Sequence, residues 1–525
     1  MLSPFADAVF RRTYARTPTE TWEQCAARVA GAVADNDKQF EEFRQLIADR
    51  VFIPGGRYLY SAGRPLFQCS NCFGFLVKDS REGWSDLLRN AVMCLSTGGG
   101  IGVNYSDCRP KGTPIARMGG SASGPIALMQ MVNEVARHVM SGGSRRSALW
   151  AGLRWNHPDV AEFMAVKDWS ADYRELKAKA FDHPAPLDMT NVSVIVDQAY
   201  LDGLAAGNPD VVSLHTQICK AAATHGEPAF RNDARILMDD PLAVTGNPCQ
   251  EAVLHDNDVC NLGSIVLPRI MSLSHLEDVV RVAIRFLYNG SLRGYYPTDE
   301  IGNVAKRNRR LGLGIMGLHE FMLKHERRYE WWYGLDRALD TWSAVAADEA
   351  KKYASLKGGA TPVATRAIAP TGTISIIAET TSGIEPIYCA AYKRRYQSHG
   401  KHLFQYVVDP TVKRLLDSGY KIADIEDAFA LSHDVDRRLL VQSRVQDYTD
   451  QAISSTVNLP ANYDASRLAE TVARHLPRLK GVTFYPDGAR AGQPLVKVPL
   501  DEALNQEGVV YEEDSEKCLN GVCGL

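Results

Sequence analysis

An α/β architecture with mainly parallel strands, built as one large domain, is what the sequence predicts, and three observations predict it. From FIPGGRYLYSAG (52–63) onward, glycine-punctuated apolar runs alternate with amphipathic stretches. The apolar runs are short, as strands are, and the amphipathic ones are long enough to be crossover helices. No internal repeat and no long low-complexity linker divides the 525 residues, although that length alone allows several domains.

Taken in order, residues 1 to about 50 read as helical. TPTETWEQCAARVAGAVADN (17–36) carries apolar residues at helical spacing behind the cap-like Thr17 and Thr19. SDLLRNAVMCLS (85–96), PIALMQMVNEVARHVM (125–140) and LEDVVRVAIRFLYNG (276–290) have the same periodicity and predict helices. SVIVD (193–197), SIVL (264–267) and GVTFY (481–485) predict strands, being short and β-branched. After PLVKVPL (494–500) the chain turns polar and acidic in NQEGVVYEEDSEK and ends CLNGVCGL, the composition of a mobile terminus.

Hydrophobic content of 45% and charged content of 23% are ordinary for a globular protein. A formal charge of −3 gives no basic field for wrapping nucleic acid, so no nucleic-acid partner is expected. Arg145-Arg146, and Lys306-Arg307 with Arg309-Arg310, are local clusters that could meet a few phosphates. The N-terminus has no signal-peptide core and no apolar run is long enough to span a bilayer. The expected compartment is the cytoplasm, with no membrane partner. There the 11 cysteines are mostly small buried hydrophobes rather than a disulfide framework.

Five features carry chemistry. The first is NPCQE (247–251), which puts an amide, a thiol and a carboxylate at every second position, with Cys260 following. In an extended chain Asn247, Cys249 and Glu251 project to one face, and Pro248 biases Asn247 toward that conformation. A sulfur-centred reactant, a base and a hydrogen-bonding amide would then meet; a polar loop holding one buried cysteine has the same spacing. The second is Cys69-x2-Cys72, half a zinc site or a redox pair; no second pair completes a zinc site, and no metal is expected. The third is Cys518-x4-Cys523 on the acidic tail, where flexible thiols can relay electrons into an interior site. The fourth is APTGTIS (369–375), whose hydroxyls and glycine suit phosphate oxygens but match no P-loop. The fifth is STGGGIGVNYSD (96–107), in which consecutive glycines permit close backbone approach to a ligand. Either glycine loop is also readable as a tight turn.

Together and in this order the motifs resemble the catalytic subunit of ribonucleotide reductases. The resemblance runs along nearly the whole chain through FIPGGRYLYSAG, SNCF, TGGGIGVN, GGSRRSALWAGLRWNHPDVAEF, NPCQE, RRLGLGI, APTGTISI, GVTFYPDGAR and CLNGVCGL. It implies a ten-stranded α/β barrel with a central finger loop, divided as a helical region (1–55), the catalytic barrel (56–505) and a redox-active tail (506–525). By motif, Cys249 would be the transient thiyl that takes the ribose 3′ hydrogen, Glu251 the general base and Asn247 a substrate hydrogen-bonder. Cys72 and Cys260 would supply the reducing equivalents, and Cys518 and Cys523 would re-reduce them for recharging by thioredoxin or a similar donor. Pro370, Thr371, Gly372, Thr373, Ile374 and Ser375 would receive the ribonucleotide's phosphates, with Asn71 and Gly100 against the nucleotide. Asp79 and Arg109 match a specificity-effector site, with residues 168–191 as the loop that passes effector identity inward. The family's N-terminal ATP cone is not matched, so no overall on/off switch is expected in this chain; a homodimer is within the family's range.

The resemblance also bears on the radical source. GVTFYPDGAR has Tyr485 but no adjacent second tyrosine, and Cys260 follows Cys249 by eleven positions. Both are like the adenosylcobalamin-dependent members, which makes adenosylcobalamin the expected cofactor. Pro486 departs from that pattern, where arginine is usual. The alternative is a ferritin-like, metal-containing partner subunit that supplies the radical to a chain with no cofactor of its own.

Overall fold

The computed structural model describes residues 2–116, 119–139, 147–180, 183–398, 401–489, 495–506 and 510–512. Three helices open the chain: α1 (Pro4–Thr13), α2 (Trp22–Val33) and α3 (Asp37–Ala48). The cap of α2 is neither Thr17 nor Thr19 but Thr21, whose hydroxyl accepts from the Gln24 N–H while the Gln24 side chain returns to the Thr21 N–H. This reciprocal box satisfies two donors that Thr17 and Thr19 lie too far upstream to reach. Helices α2 and α3 pack onto the helix Leu273–Arg293, where Asn289 Nδ2 donates to Val33 O at 3.0 Å, and α1 packs onto the short helix Ile374–Ala378.

After β1 (Phe52–Pro54) and the short α4 (Gly56–Ser61) come five strands: β2 (Cys72–Leu76), β3 (Gly100–Asn104), β4 (Leu149–Arg154), β5 (Thr190–Val196) and β6 (Ala229–Asn232). They are parallel and adjacent in that order. Helices α5 (Arg81–Ser96) and α6 (Pro125–His138) cover their outer face with Leu87, Leu95, Met129 and Val132. The ribbon β7 (Thr245–Gly246) and β8 (Val253–Leu254) brackets NPCQE; β9 (Asp258–Cys260), β10 (Leu262–Val266) and β11 (Gly312–Met316) follow. A hairpin of β12 (Ala391–Ser398) and β13 (Lys401–Val408) stands apart, and β14 (Thr456–Leu459) runs parallel to β15 (Gly481–Pro486). The edges of the hairpin pair with β16 (Leu495–Lys497) and β17 (Val510–Glu512).

Followed strand by strand, the backbone pairing returns on itself. From β6 it passes antiparallel to β15 and parallel to β14, whose approach pairs Ile453 with Ile368. The run through residues 364–368 then meets β11, as Leu311 N donates to Ala364 O and Leu313 N to Thr365 O. Next, β11 is parallel to β10, and β9, one residue upstream of β10, is antiparallel to β2. Two sets of parallel strands, antiparallel to each other, thus form a ring, the predicted barrel.

What fills the ring is the segment between β7 and β8. A Cβ on Gly74 would lie 2.6 Å from Thr245 Cγ2, one on Gly102 2.1 Å from Gly246 O, and one on Gly100 2.9 Å from Pro248 Cγ. On the far side Ala452 N donates to Glu251 O at 2.9 Å. The segment touches both sets of strands, as a central finger does, and the strand glycines are there because any side chain would collide with it.

Candidate active site

At the fingertip the chain turns. Gln250 N donates to Asn247 O at 3.0 Å and Gln250 takes a left-handed φ of 64°. A turn rather than an extended strand therefore carries the three groups, and of them Cys249 and Glu251 line one cavity while Asn247 is not part of its lining. Pro248 fits the first corner of such a turn because its φ is already fixed. Asn247 is fully buried, Glu251 is 2% exposed, and Cys249 alone is exposed.

Each neighbour of Cys249 is held separately. Asn247 Oδ1 accepts from Ala252 N at 3.0 Å, and its Nδ2 donates to Cys72 Sγ at 3.4 Å. Burial raises the Glu251 pKa to about 7, with the Asn247 amide pulling it partly back. Its Oε2 is buried without a hydrogen-bond partner, an arrangement that suits a carboxyl awaiting a proton from a bound molecule.

Cys72 and Cys260 face each other directly across β2 and β9. Opposed residues of antiparallel strands have Cα atoms about 4.5–5.5 Å apart, inside the span of a disulfide. Both are thiols here, and burial beside Cys72 pushes the Cys260 pKa well up. Cys69 does not join them: its thiol donates to Gly290 O at 3.6 Å in the outer core, and burial raises its pKa to about 12. The Cys-x2-Cys spacing thus divides between two layers, Cys69 in the core cluster under the opening helices and Cys72 on β2 beside Cys260.

A cavity of about 350 Å³ opens beside the fingertip, lined by Asn71, Cys72, Gly100, Cys249, Glu251 and the run Pro370–Ile374. It is of the size that holds one small ligand. Ser375 is not in the lining; it is 2% exposed and shares a 2.8 Å hydrogen bond with Ser382 Oγ. Thr371, at φ 52°, turns its hydroxyl to accept from Gly383 N at 2.8 Å, which fixes the loop. Asn71 Oδ1 is buried without a partner. Arg57, Tyr14 and Ser264 also line the cavity and were not singled out from the sequence. Arg57 stands in FIPGGRYLYSAG, but nothing in that stretch marks its guanidinium as buried at a site.

Asp79 and Arg109 pair with each other at 2.6 Å beyond the ends of β2 and β3. Cys518 and Cys523 lie outside the described residues, as do Arg145 and Arg146. The expectation that Arg310 meets phosphate is overturned: it is 2% exposed, donating to Asp258 Oδ2 and Asp240 Oδ2, each at 2.8 Å. A guanidinium buried between two carboxylates is not presented at the surface to a phosphate. Arg309 likewise donates to Ser291 O at 2.7 Å. No described helix is long and apolar enough to cross a membrane.

A second cavity, about 220 Å³, lies at the ends of β14 and β15 among Tyr388, Phe429, His433, Asn458, Tyr485 and Asp487. The fingertip meets the start of the same strand, since a Cβ on Gly481 would be 3.3 Å from Gln250 Oε1.

Residues 1–66 match the all-alpha domain of ribonucleotide reductase, and 70–201, 198–338 and 335–485 match its barrel domain. The chain is 30% identical to a vitamin B12-dependent ribonucleoside-diphosphate reductase of Mycobacterium tuberculosis, over 91% of this chain and 78% of that one. A reductase of the same description from Thermoplasma acidophilum is 27% identical over 97% of this chain and 74% of its own. A putative adenosylcobalamin-dependent ribonucleoside-triphosphate reductase of Mycobacterium phage D29 is 26% identical, covering 86% and 76%.

Proposed function

Since the chain belongs to the ribonucleotide reductase family, we propose that it reduces ribonucleotides to 2′-deoxyribonucleotides by radical chemistry at Cys249. The observation that carries this is that an exposed thiol, a buried carboxyl of raised pKa and one member of a facing pair of thiols line a single cavity of about 350 Å³.

Cys249 would take the ribose 3′ hydrogen, and Glu251, ionised above about pH 7, would accept the 3′-hydroxyl proton. The 2′ C–O bond then breaks and the hydroxyl leaves as water. Cys72 and Cys260 supply two electrons and two protons, ending as a disulfide, while Cys249 returns its hydrogen to C3′. Asn247 holds the turn and touches Cys72, so it would position rather than react. Pro370–Ile374 and Arg57 would face the phosphates, and Asn71 a sugar or base donor. Cys518 and Cys523 would reduce the spent disulfide and be recharged by a thioredoxin-type donor.

With a nucleotide in the first cavity a cobalamin would lie elsewhere, and the lining of the second cavity suits its adenosyl end. Aromatic faces of Tyr388, Phe429 and Tyr485 suit a purine, and His433, Asn458 and Asp487 offer hydrogen bonds. Bound there, adenosylcobalamin would supply a hydrogen-abstracting radical. A nucleotide effector at Asp79 and Arg109 and a homodimer belong to the same proposal.

The test is anaerobic assay with a dithiol, adenosylcobalamin and CDP or CTP, in the wild type and in Cys249→Ser. Deoxynucleotide formation that vanishes in the variant is expected; persistence of activity would falsify the role of Cys249. Turnover that needs a metal-containing subunit instead of cobalamin would reassign the radical source.

A further inference from the structure

The fingertip carbonyl one residue before Cys249 is held from outside the finger. Asn191 Nδ2 donates to Pro248 O at 2.9 Å. Asn191 lies on β5, next to Trp150 of β4 in register, and is itself exposed, so it serves no core packing. Pro248 is buried. The hydrogen bond fixes the orientation of the peptide that enters Cys249, on a turn whose following residue is already in the left-handed region.

The start of β5 is itself pinned. Asn133 Oδ1, on α6, accepts from Met189 N at 3.0 Å and from Thr190 Oγ1 at 2.9 Å. Asp188, 2% exposed, takes Arg137 at 2.6 Å and Lys177 at 2.5 Å. Burial works against its charge, but the two cations hold its pKa down to about 2, so the pairs persist at neutral pH. A strand end anchored by two ion pairs to one buried carboxylate and by two hydrogen bonds is a rigid support for a single strut.

We propose that Asn191 is a positioning residue for the reaction, holding the Cys249 thiol in place through the Pro248 carbonyl. The proposal rests on the reading of Cys249 as the radical-bearing thiol. It also gives the segment ahead of β5 a direct mechanical hold on the fingertip, in addition to any contact it makes with substrate. Only a donor can do this. Asparagine and aspartate have nearly the same shape, but an ionised aspartate donates nothing and would repel the carbonyl oxygen.

The experiment compares Asn191→Asp and Asn191→Ala with the wild type and with Cys249→Ser, all full length. For both Asn191 variants kcat is expected to fall about tenfold, the worth of one lost hydrogen bond. KM for the nucleotide should stay unchanged, because Asn191 is outside the cavity lining. Amide hydrogen exchange of peptide 246–253 in the resting protein, with no cofactor or substrate, should quicken in both variants while the melting temperature holds. If Asn191→Asp keeps wild-type kcat and exchange while Cys249→Ser is inactive, the strut is refuted and the reading of Cys249 stands. If Cys249→Ser is active, the reading beneath the proposal has failed instead.

Discussion

The two ends of the finger loop are built on opposite terms. At its root, Asp240 precedes the loop and His255 and Asp258 follow it, and Arg310 from the start of β11 binds both sides. His255 Nε2 adds a 2.8 Å contact to Asp240 Oδ1, and Asn308 Nδ2 reaches both His255 Nδ1 and Asp258 Oδ2. The neighbouring Asp239 is held by Lys480, a fully buried ammonium whose pKa burial lowers to about 8. At the tip there are single bonds, a left-handed residue and a buried carboxyl with an oxygen unpartnered. The root neutralises its charges locally, whereas the tip leaves Glu251 without a cation. This difference divides the labour: stability is concentrated at the root, and the tip holds the reactive groups in a state that costs stability.

That division predicts opposite signs. Arg310→Met leaves Asp240 and Asp258 buried without their cation and should destabilise the protein by about 3–5 kcal/mol. Urea unfolding at neutral pH measures it, and an unchanged midpoint would remove the root from the comparison. Glu251→Gln should act the other way. The folded pKa of Glu251, about 7, lies above its ordinary 4.5. Below pH 4.5 both states are protonated and the residue costs nothing. Between about 4.5 and 7 the unfolded chain releases its proton first, so stability falls as pH rises, and above 7 the penalty is constant. Glu251→Gln should therefore match the wild type near pH 4.5 and exceed it at pH 8 by roughly 1–3 kcal/mol, while losing turnover. In the wild type, turnover should rise through pH 7 as the base ionises. A variant equally stable at both pH values relative to wild type would mean that the carboxyl is not desolvated.

How far the sequence revealed this depends on the distance between partners. Asn247, Cys249 and Glu251 are neighbours in the chain, and their spacing alone suggested that they meet, although the turn at Gln250 was not visible. Local periodicity likewise placed α5 and α6, and a short β-branched run placed β15. The root was invisible: Asp240, Asp258 and Arg310 come from three separate segments, and RR in RRLGLGI has the composition of a solvated basic patch. Only burial shows that one of its arginines is internal. The glycines of TGGGIGVN were legible as sites of close approach. Their partner at Gly100 and Gly102 is the finger, a fact that depends on strand register across the barrel. The pairing of Cys72 with Cys260 is also a matter of register, and it came from family resemblance rather than from spacing.

Asp79 and Arg109 supply the weakest member of the comparison, an ion pair that belongs to neither end of the finger. Their side chains are 25% and 43% exposed, so solvent screens the 2.6 Å contact. The same geometry that is worth several kcal/mol around Arg310 should be worth less than about 1 kcal/mol here. Asp79→Asn should consequently leave the urea midpoint nearly unmoved, and raising salt should erase even that difference. A pair that contributes so little to folding can exchange partners at little cost, as an effector-binding pair must. If these residues bind a specificity effector, Asp79→Asn should alter which nucleotide is reduced fastest when deoxynucleotides are added, with basal turnover intact. A variant that unfolds early, or that responds to deoxynucleotides as the wild type does, would put Asp79 among the structural ion pairs.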